Sequence, residues 1–201
     1  MVYNSYSEFL FPRHVIVSDS ENFSNYRDHL INLCYKEREK DPVGVKLSNV
    51  GGWQSRSDFI HNSSDFEFLF EDLDANLEHC MYNEFGISEN SNLSILNAWI
   101  NISGKYNYNS THTHPLSIIA AVYYVKCPEE CGDLVFLPDF NDAIDYEFRN
   151  DNMREFTKMY GTYTIKPKEG RLVIVPANLL HEVNMNQSND DRISISFNLS
   201  F

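Results

Sequence analysis

The apolar and polar positions divide the chain into two parts with different periodicity. In residues 1–90, apolar side chains recur at helical spacing in two stretches. One stretch runs from Ser24, a candidate helix cap, to about Lys40. The other begins after a candidate cap at Asp65 and stops at Gly86. The first part of the chain is therefore expected to form helical support for a larger core.

From residue 91 onward the pattern is typical of strands. Short runs of branched and aromatic residues are separated by Gly, Pro, Asn and Asp, as in a sandwich, a barrel or a double-stranded jelly roll. The predicted strands cover residues 93–102, 116–125, 134–137, 160–165, 171–175 and 193–199. We expect one domain over residues 1–201, mainly β with helical support (α+β), with the N-terminal helices packed on one face of a jelly-roll core over residues 91–201.

An acidic insertion over residues 139–158 interrupts the predicted strands. Long connections in compact domains are often lids or binding loops. An ordinary solvated surface loop fits the same composition equally well. Both interpretations of the insertion stay open.

Charge and composition narrow the range of partners. The net charge of −13 repels phosphate backbones and anionic lipid, which argues against nucleic acid and membrane surfaces. The chain shows neither a signal peptide nor an apolar run long enough to span a membrane, so we expect a cytoplasmic protein. Its four cysteines, Cys127 and Cys131 among them, are interpreted as reduced thiols. A homodimer is the default expectation for the oligomeric state.

Three histidines and an arginine follow one another in an order that suits a metal site. His112 and His114 lie two residues apart, His181 comes much later, and Arg192 follows it in a strand-like run. Residues i and i+2 of a strand share a face, so the first two imidazoles would point inward together. Imidazole binds iron, zinc, copper and nickel. The remaining histidines lack ligand spacing and are interpreted as structural or surface residues: His14, His29, His61 and His79.

The last predicted strand alternates polar and apolar residues. Arg192, Ser194, Ser196 and Asn198 share one face, and branched or aromatic residues occupy the other. On its own this pattern favours an ordinary edge strand with its polar face in solvent. The upstream histidines favour the opposite interpretation, in which Arg192 and Ser194 line a cavity and bind a carboxylate.

Eight short segments in a fixed order resemble the 2-oxoglutarate- and Fe(II)-dependent oxygenases. The resemblance is to a prolyl-4-hydroxylase-like branch found in phage and bacterial genomes. It spans most of the chain through residues 51–55, 97–101, 112–115, 121–125, 132–136, 170–176, 181–183 and 192–198. It implies a dioxygenase that hydroxylates a small molecule, a peptide or a protein side chain and releases succinate and CO2, with Fe(II), 2-oxoglutarate and ascorbate as reductant.

The resemblance also implies roles for individual residues. His112 and His181 match the two histidine ligands, and Arg192 matches the arginine that binds the distal carboxylate of 2-oxoglutarate. Tyr124 and Ser194 complete the co-substrate site. We expect three further residues to line the pocket: Asn101, Asn198 and Trp99.

His114 stands where most of these oxygenases have an aspartate or a glutamate. Either His114 is a ligand in a three-histidine site, or it swings away and leaves a vacant position; we expect it to be the third metal ligand. Two other functions remain open: a cupin-type three-histidine dioxygenase or isomerase that does not use 2-oxoglutarate, and a non-catalytic or virion-associated jelly-roll module. Arg192 and Ser194 argue against the former, and the histidines together with Arg192 argue against the latter.

Overall fold

The computed structural model describes residues 13–58, 60–88, 90–138 and 162–201. The helices are α1 (Phe23–Lys40) and α2 (Glu67–His79), with short 3-10 turns at Ile60–Asn62 and Ser64–Phe66 and a π turn at Cys80–Glu84. The strands are β1 (Ile16–Asp19), β2 (Asn49–Val50), β3 (Trp53–Gln54), β4 (Ser94–Ser103), β5 (Tyr108–His112), β6 (Ile119–Lys126), β7 (Leu134–Phe136), β8 (Tyr163–Ile165), β9 (Arg171–Pro176), β10 (His181–Val183) and β11 (Arg192–Ser200). The acidic insertion predicted over residues 139–158 lies outside the described residues.

Two antiparallel sheets form the β part of the fold. The larger sheet has the strand order β1-β9-β6-β11-β4-β3, and the smaller has the order β2-β5-β10-β7-β8. The predicted class, mainly β with helical support, is confirmed. In the described part of the chain, no helix is long and apolar enough to cross a membrane.

Alternation along the central strands of the larger sheet separates two cores. On β11, Ile193, Ile195 and Phe197 pack toward α1 and α2, together with Tyr123 of β6. The opposite face of the larger sheet meets the smaller sheet, where a second apolar cluster includes Tyr124. Because a strand directs successive side chains to opposite faces, the polar residues of β11 point into the space between the sheets.

The first part of the chain contributes more than helices. It supplies β1, β2 and β3, which were not predicted and which pair with strands of the second part. The predicted caps at Ser24 and Asp65 are both wrong. The first helix begins at Phe23 after Asn22, and the side chain of Ser63, not Asp65, caps the 3-10 turn that precedes α2.

A polar cluster joins both helices to the larger sheet. The hydroxyl of Tyr26 on α1 donates to Asp72 of α2 at 2.6 Å, and Tyr123 of β6 lies 2.8 Å from the same hydroxyl. Asp72 also accepts hydrogen bonds from Ser20 and Asn22. Burial alone would raise the pKa of Asp72, but the hydrogen bonds lower it below its usual range.

We expect Asp72→Asn to lower the free energy of unfolding by about 1–3 kcal/mol at pH 7, because an amide cannot accept on both sides and brings two donors together. The folded-state pKa of Asp72 lies below the unfolded value of about 4. The stabilisation is therefore present above that pH and is lost as the pH falls through the folded pKa. Urea unfolding of both proteins across this range measures the difference.

Asp74→Asn is the matched control for this variant. Asp74 lies on the same helix with its side chain exposed, so its substitution should change the free energy of unfolding by less than about 0.5 kcal/mol. Equal stability of Asp72→Asn and the unmodified chain at pH 7 would contradict the role given to the cluster.

Candidate metal and co-substrate site

Three histidines converge at one end of the smaller sheet. His112 is the last residue of β5, His181 is the first of β10, and the two are cross-strand partners. His114 lies beyond the end of β5, where its backbone N–H donates to Ala177 at 2.8 Å. The predicted strand geometry for the His112–His114 pair is therefore wrong, although both side chains reach the same point. One ligand atom from each imidazole lies within 4.8 Å of the others.

The hydrogen bonds of the three imidazoles set their tautomers. Each Nδ1 lies 2.7 Å from an oxygen that can only accept: Ser110 O for His112, Asn198 Oδ1 for His114 and Leu179 O for His181. Each Nδ1 therefore carries the proton, and each Nε2 keeps a free lone pair.

The free lone pairs face one another. The Nε2 atoms of His114 and His181 are 3.3 Å apart, a separation at which two unprotonated nitrogens repel unless a cation or a donor lies between them. Metal–imidazole bonds of about 2.0–2.1 Å place neighbouring donor nitrogens roughly 3 Å apart. The arrangement fits a transition-metal ion.

Burial keeps these imidazoles neutral. Burial, with a smaller contribution from the neighbouring His112, lowers the pKa of both His114 and His181 to about 4. Burial also lowers the pKa of His112. At neutral pH all three are in the deprotonated form that metal binding requires.

Arg192 provides a buried positive charge beside the histidines. Its side chain is 3% exposed and lines the cavity between the sheets. Nη1 donates to the backbone carbonyls of Cys131, Gly132 and Asn184 at 2.6, 3.2 and 3.3 Å. Among the described residues no carboxylate pairs with it. A buried charge with only neutral partners is costly, so the cavity suits an anionic ligand such as a dicarboxylate.

The other predicted pocket residues gather around the same cavity. Tyr124 and Ser194 are cross-strand partners on β6 and β11, and both line it. Asn101 also lines it and donates to Ser196 at 3.2 Å. Trp99 stacks on His114 with ring centroids 5.7 Å apart and an interplanar angle of 25°.

The orientation of β11 decides between the two interpretations of its polar face. Arg192 is 3% exposed and Asn198 is 7% exposed. Arg192, Ser194 and Ser196 of this face line the cavity, and Asn198 hydrogen-bonds His114, so the alternative that placed the polar face in solvent is wrong.

Three contacts of the site were not predicted. The hydroxyl of Ser48 lies 3.5 Å from Nε2 of His112, and Asn109 also lines the cavity. Asn97 accepts a hydrogen bond from Asn198 at 2.9 Å. Each of these contacts depends on which strands are neighbours: β5, which carries His112 and Asn109, was not predicted, and the pairing of β4 with β11 was not predicted although both strands were. An isolated serine or asparagine carries no signal of such a pairing.

The comparisons with known proteins agree with this geometry. Residues 97–198 match a family described as "Putative 2OG-Fe(II) oxygenase", which covers about half of the chain and includes all three histidines and Arg192. No curated protein matches the chain by sequence.

Solved structures of low sequence identity share the fold. A prolyl-4-hydroxylase from Pseudomonas putida is 13% identical, with 92% of each chain covered and a TM-score of 0.62. HygX from Streptomyces hygroscopicus with nickel, 2-oxoglutarate and hygromycin B bound is 12% identical, with 92% of this chain and 82% of that chain covered and a TM-score of 0.63. A Trichoplax adhaerens prolyl hydroxylase in complex with a hypoxia-inducible-factor peptide has the same identity and coverages and a TM-score of 0.64.

These likenesses support the predicted jelly roll. The family match is the evidence for oxygenase activity. The matched residues include the three histidines and Arg192, whose geometry suits a metal and a dicarboxylate. The chain therefore belongs to the 2OG-Fe(II) oxygenase family, whose members are oxidoreductases that use iron(II) and 2-oxoglutarate.

Proposed function

We propose that the protein hydroxylates an organic substrate at an iron held by His112, His114 and His181. In the overall reaction, 2-oxoglutarate, dioxygen and a substrate C–H group give succinate, CO2 and the corresponding alcohol. The observation that supports the proposal is the convergence of three imidazoles, each with its proton on Nδ1. They lie beside the buried Arg192, which has no carboxylate partner among the described residues. Iron(II), when bound, supplies the activation of dioxygen.

The residues of the larger sheet would hold the co-substrate. The Arg192 guanidinium offers a planar fork of donors, and such forks bind carboxylates through two parallel hydrogen bonds. Its Nη1 already bonds backbone carbonyls, which fixes the orientation of the side chain. Tyr124 and Ser194, which both carry hydroxyl groups, line the same cavity. The apolar cluster that includes Phe136 and Val175 would keep water from the bound dicarboxylate.

A three-histidine ligand set leaves the metal centre one unit more positive than two histidines and a carboxylate would. The dianionic co-substrate compensates part of that charge. The alternative of a three-histidine dioxygenase that does not use 2-oxoglutarate would leave Arg192 without a function in the cavity. We therefore favour the 2-oxoglutarate-dependent reaction, as the family match does.

The substrate is proposed to be a neutral or cationic peptide or small molecule. A net charge of −13 disfavours polyanions such as nucleic acids. Proteins of similar fold bind both kinds of substrate, a peptide in the Trichoplax enzyme and hygromycin B in HygX. A screen for compounds that stimulate succinate release would separate the two classes.

We also propose that the protein acts in the cytoplasm. All four cysteines are free thiols, which suits a reducing compartment. The homodimer expected from the sequence stays a prediction.

Substitution of a proposed ligand should strongly weaken metal binding and reduce turnover. We expect His112→Ala and His181→Ala each to weaken Ni(II) binding by more than about 100-fold, since loss of a hydrogen-bond partner behind a ligand already costs about 10–100-fold. Isothermal titration measures the affinity, and succinate release from 2-oxoglutarate with Fe(II) and dioxygen measures turnover. His29→Ala, on the exposed face of α1, is the control and should match the unmodified chain. Full metal affinity in His181→Ala would contradict the ligand assignment.

Substitution of Arg192, the proposed binding residue for the co-substrate, should weaken the binding of 2-oxoglutarate and leave the binding of the metal unchanged. A hydrogen bond to a charged group contributes about 1.5–3 kcal/mol, so Arg192→Ala should weaken 2-oxoglutarate binding by roughly 10- to 100-fold. Arg192→Lys keeps the charge without the fork and should lie in between. Titration of 2-oxoglutarate into the Ni(II)-loaded protein measures both.

Arg56→Ala, which removes an exposed arginine, is the matched control for that titration. The melting temperature of each variant reports whether the fold is kept. Unchanged 2-oxoglutarate affinity in a folded Arg192→Ala protein would instead favour the dioxygenase that does not use 2-oxoglutarate.

A further inference from the structure

The three histidines differ in what holds their Nδ1 atoms. For His112 and His181 the acceptor is the backbone carbonyl two residues earlier, at Ser110 and Leu179. These acceptors come with the local chain and need no other side chain. For His114 the acceptor is the side chain of Asn198, 84 residues away on β11. The orientation of His114 therefore depends on one distant amide.

That amide is itself held in place. Asn198 Nδ2 donates to Oδ1 of Asn97 at 2.9 Å, which leaves Asn198 Oδ1 to accept from His114 at 2.7 Å. Because the nitrogen of the amide donates to Asn97 and its oxygen accepts from His114, only one of its two flipped orientations satisfies both hydrogen bonds. The chain of hydrogen bonds runs from Asn97 on β4 through Asn198 on β11 to His114, in the segment that follows β5.

The strand pairing places both amides at the required position. Asn97 and Asn198 are cross-strand partners, and the register between β11 and β4 shifts directly after Asn198. Leu199 then pairs with Ile95, so Leu96 has no partner and its side chain is 49% exposed. The register shift interrupts the ladder directly after the amide pair, and Asn198 of that pair contacts His114.

We propose that Asn198, held by Asn97, is the positioning residue that makes His114 a metal ligand. It fixes the Nδ1–H tautomer, so that Nε2 points its lone pair at the other two imidazoles. Trp99, which stacks on the ring, limits rotation but offers no means of choosing the tautomer. The inference rests on the proposed function in one respect, that His114 ligates the metal.

The neutral amide also has a chemical consequence. Many metal-bound histidines donate their second N–H to a carboxylate, which increases the basicity of the ligand. An amide orients the imidazole without adding negative charge. The centre therefore keeps the extra positive charge that comes from having histidine in place of a carboxylate ligand.

A double-mutant cycle with Ni(II) as the probe tests the proposal. We expect Asn198→Ala to weaken Ni(II) binding by about 10–100-fold when His114 is present, as is usual for the loss of a residue that hydrogen-bonds a metal ligand. In the His114→Ala background the same substitution should cost less than about 3-fold, because the ligand through which it acts is gone. Asn198→Asp keeps the acceptor and should retain the affinity within about 3-fold.

Two further variants separate positioning from folding. Asn97→Ala removes only the support of the amide and should weaken Ni(II) binding by a few-fold, in the same direction. Ser200→Ala, two residues further along β11, is the matched control and should leave Ni(II) affinity unchanged. Nitrogen-15 NMR of the metal-free protein at pH 7 should find His114 in the Nδ1–H tautomer, and the tautomer should become mixed in Asn198→Ala.

Equal losses from Asn198→Ala with and without His114, or an unchanged tautomer in a folded variant, would overturn the positioning role. Failure of the unmodified chain to bind Ni(II) would instead overturn the proposed function. The tautomer measurement distinguishes these failures because it requires no metal.

Discussion

The fold and the site both depend on β11 keeping two chemically different faces at the centre of the larger sheet. One face places Ile193, Ile195 and Phe197 against the helices, and that apolar contact holds the helical layer on the sheet. The other face carries Arg192 and Asn198 into the space between the sheets. A shift of one residue in the pairing of β11 would exchange the faces, burying four polar side chains against the helices. The hydrophobic core thus fixes the positions of the polar groups.

Elements with a continuous apolar face or a run of branched and aromatic residues could be predicted from the sequence, including the three-residue strands β7 and β8, and short polar strands could not. The alternation of β11 and the helical spacing of α1 and α2 identify those elements because each buries one continuous face. The strands β5 and β10 have only five and three residues and are largely polar. Their pairing with each other, not their composition, makes them strands. The helix caps were mispredicted because Asn22 and Ser63 take the positions that Ser24 and Asp65 were expected to fill.

The site shows the same division. The histidines and Arg192 were found from their order and from the family resemblance. The position of His114 beyond the end of β5 was not predicted, because strand periodicity carries no information about residues outside the strand. The contacts of Ser48 and Asn97 follow from cross-strand register, which has no local signal in the sequence. His114 stands where most of these oxygenases have a carboxylate, and its Nδ1 is hydrogen-bonded to the side-chain amide of Asn198 on another strand.

The most direct test of the account is the formation of the iron–co-substrate complex. Fe(II) and 2-oxoglutarate would be added to the metal-free protein without oxygen, and the visible spectrum would be recorded for the weak charge-transfer band of the chelate. The account predicts that the band appears with both additions and not with Fe(II) alone. Tight binding of Fe(II) with no band and no detectable binding of 2-oxoglutarate would contradict it, and would show that the three histidines hold a metal for a different reaction.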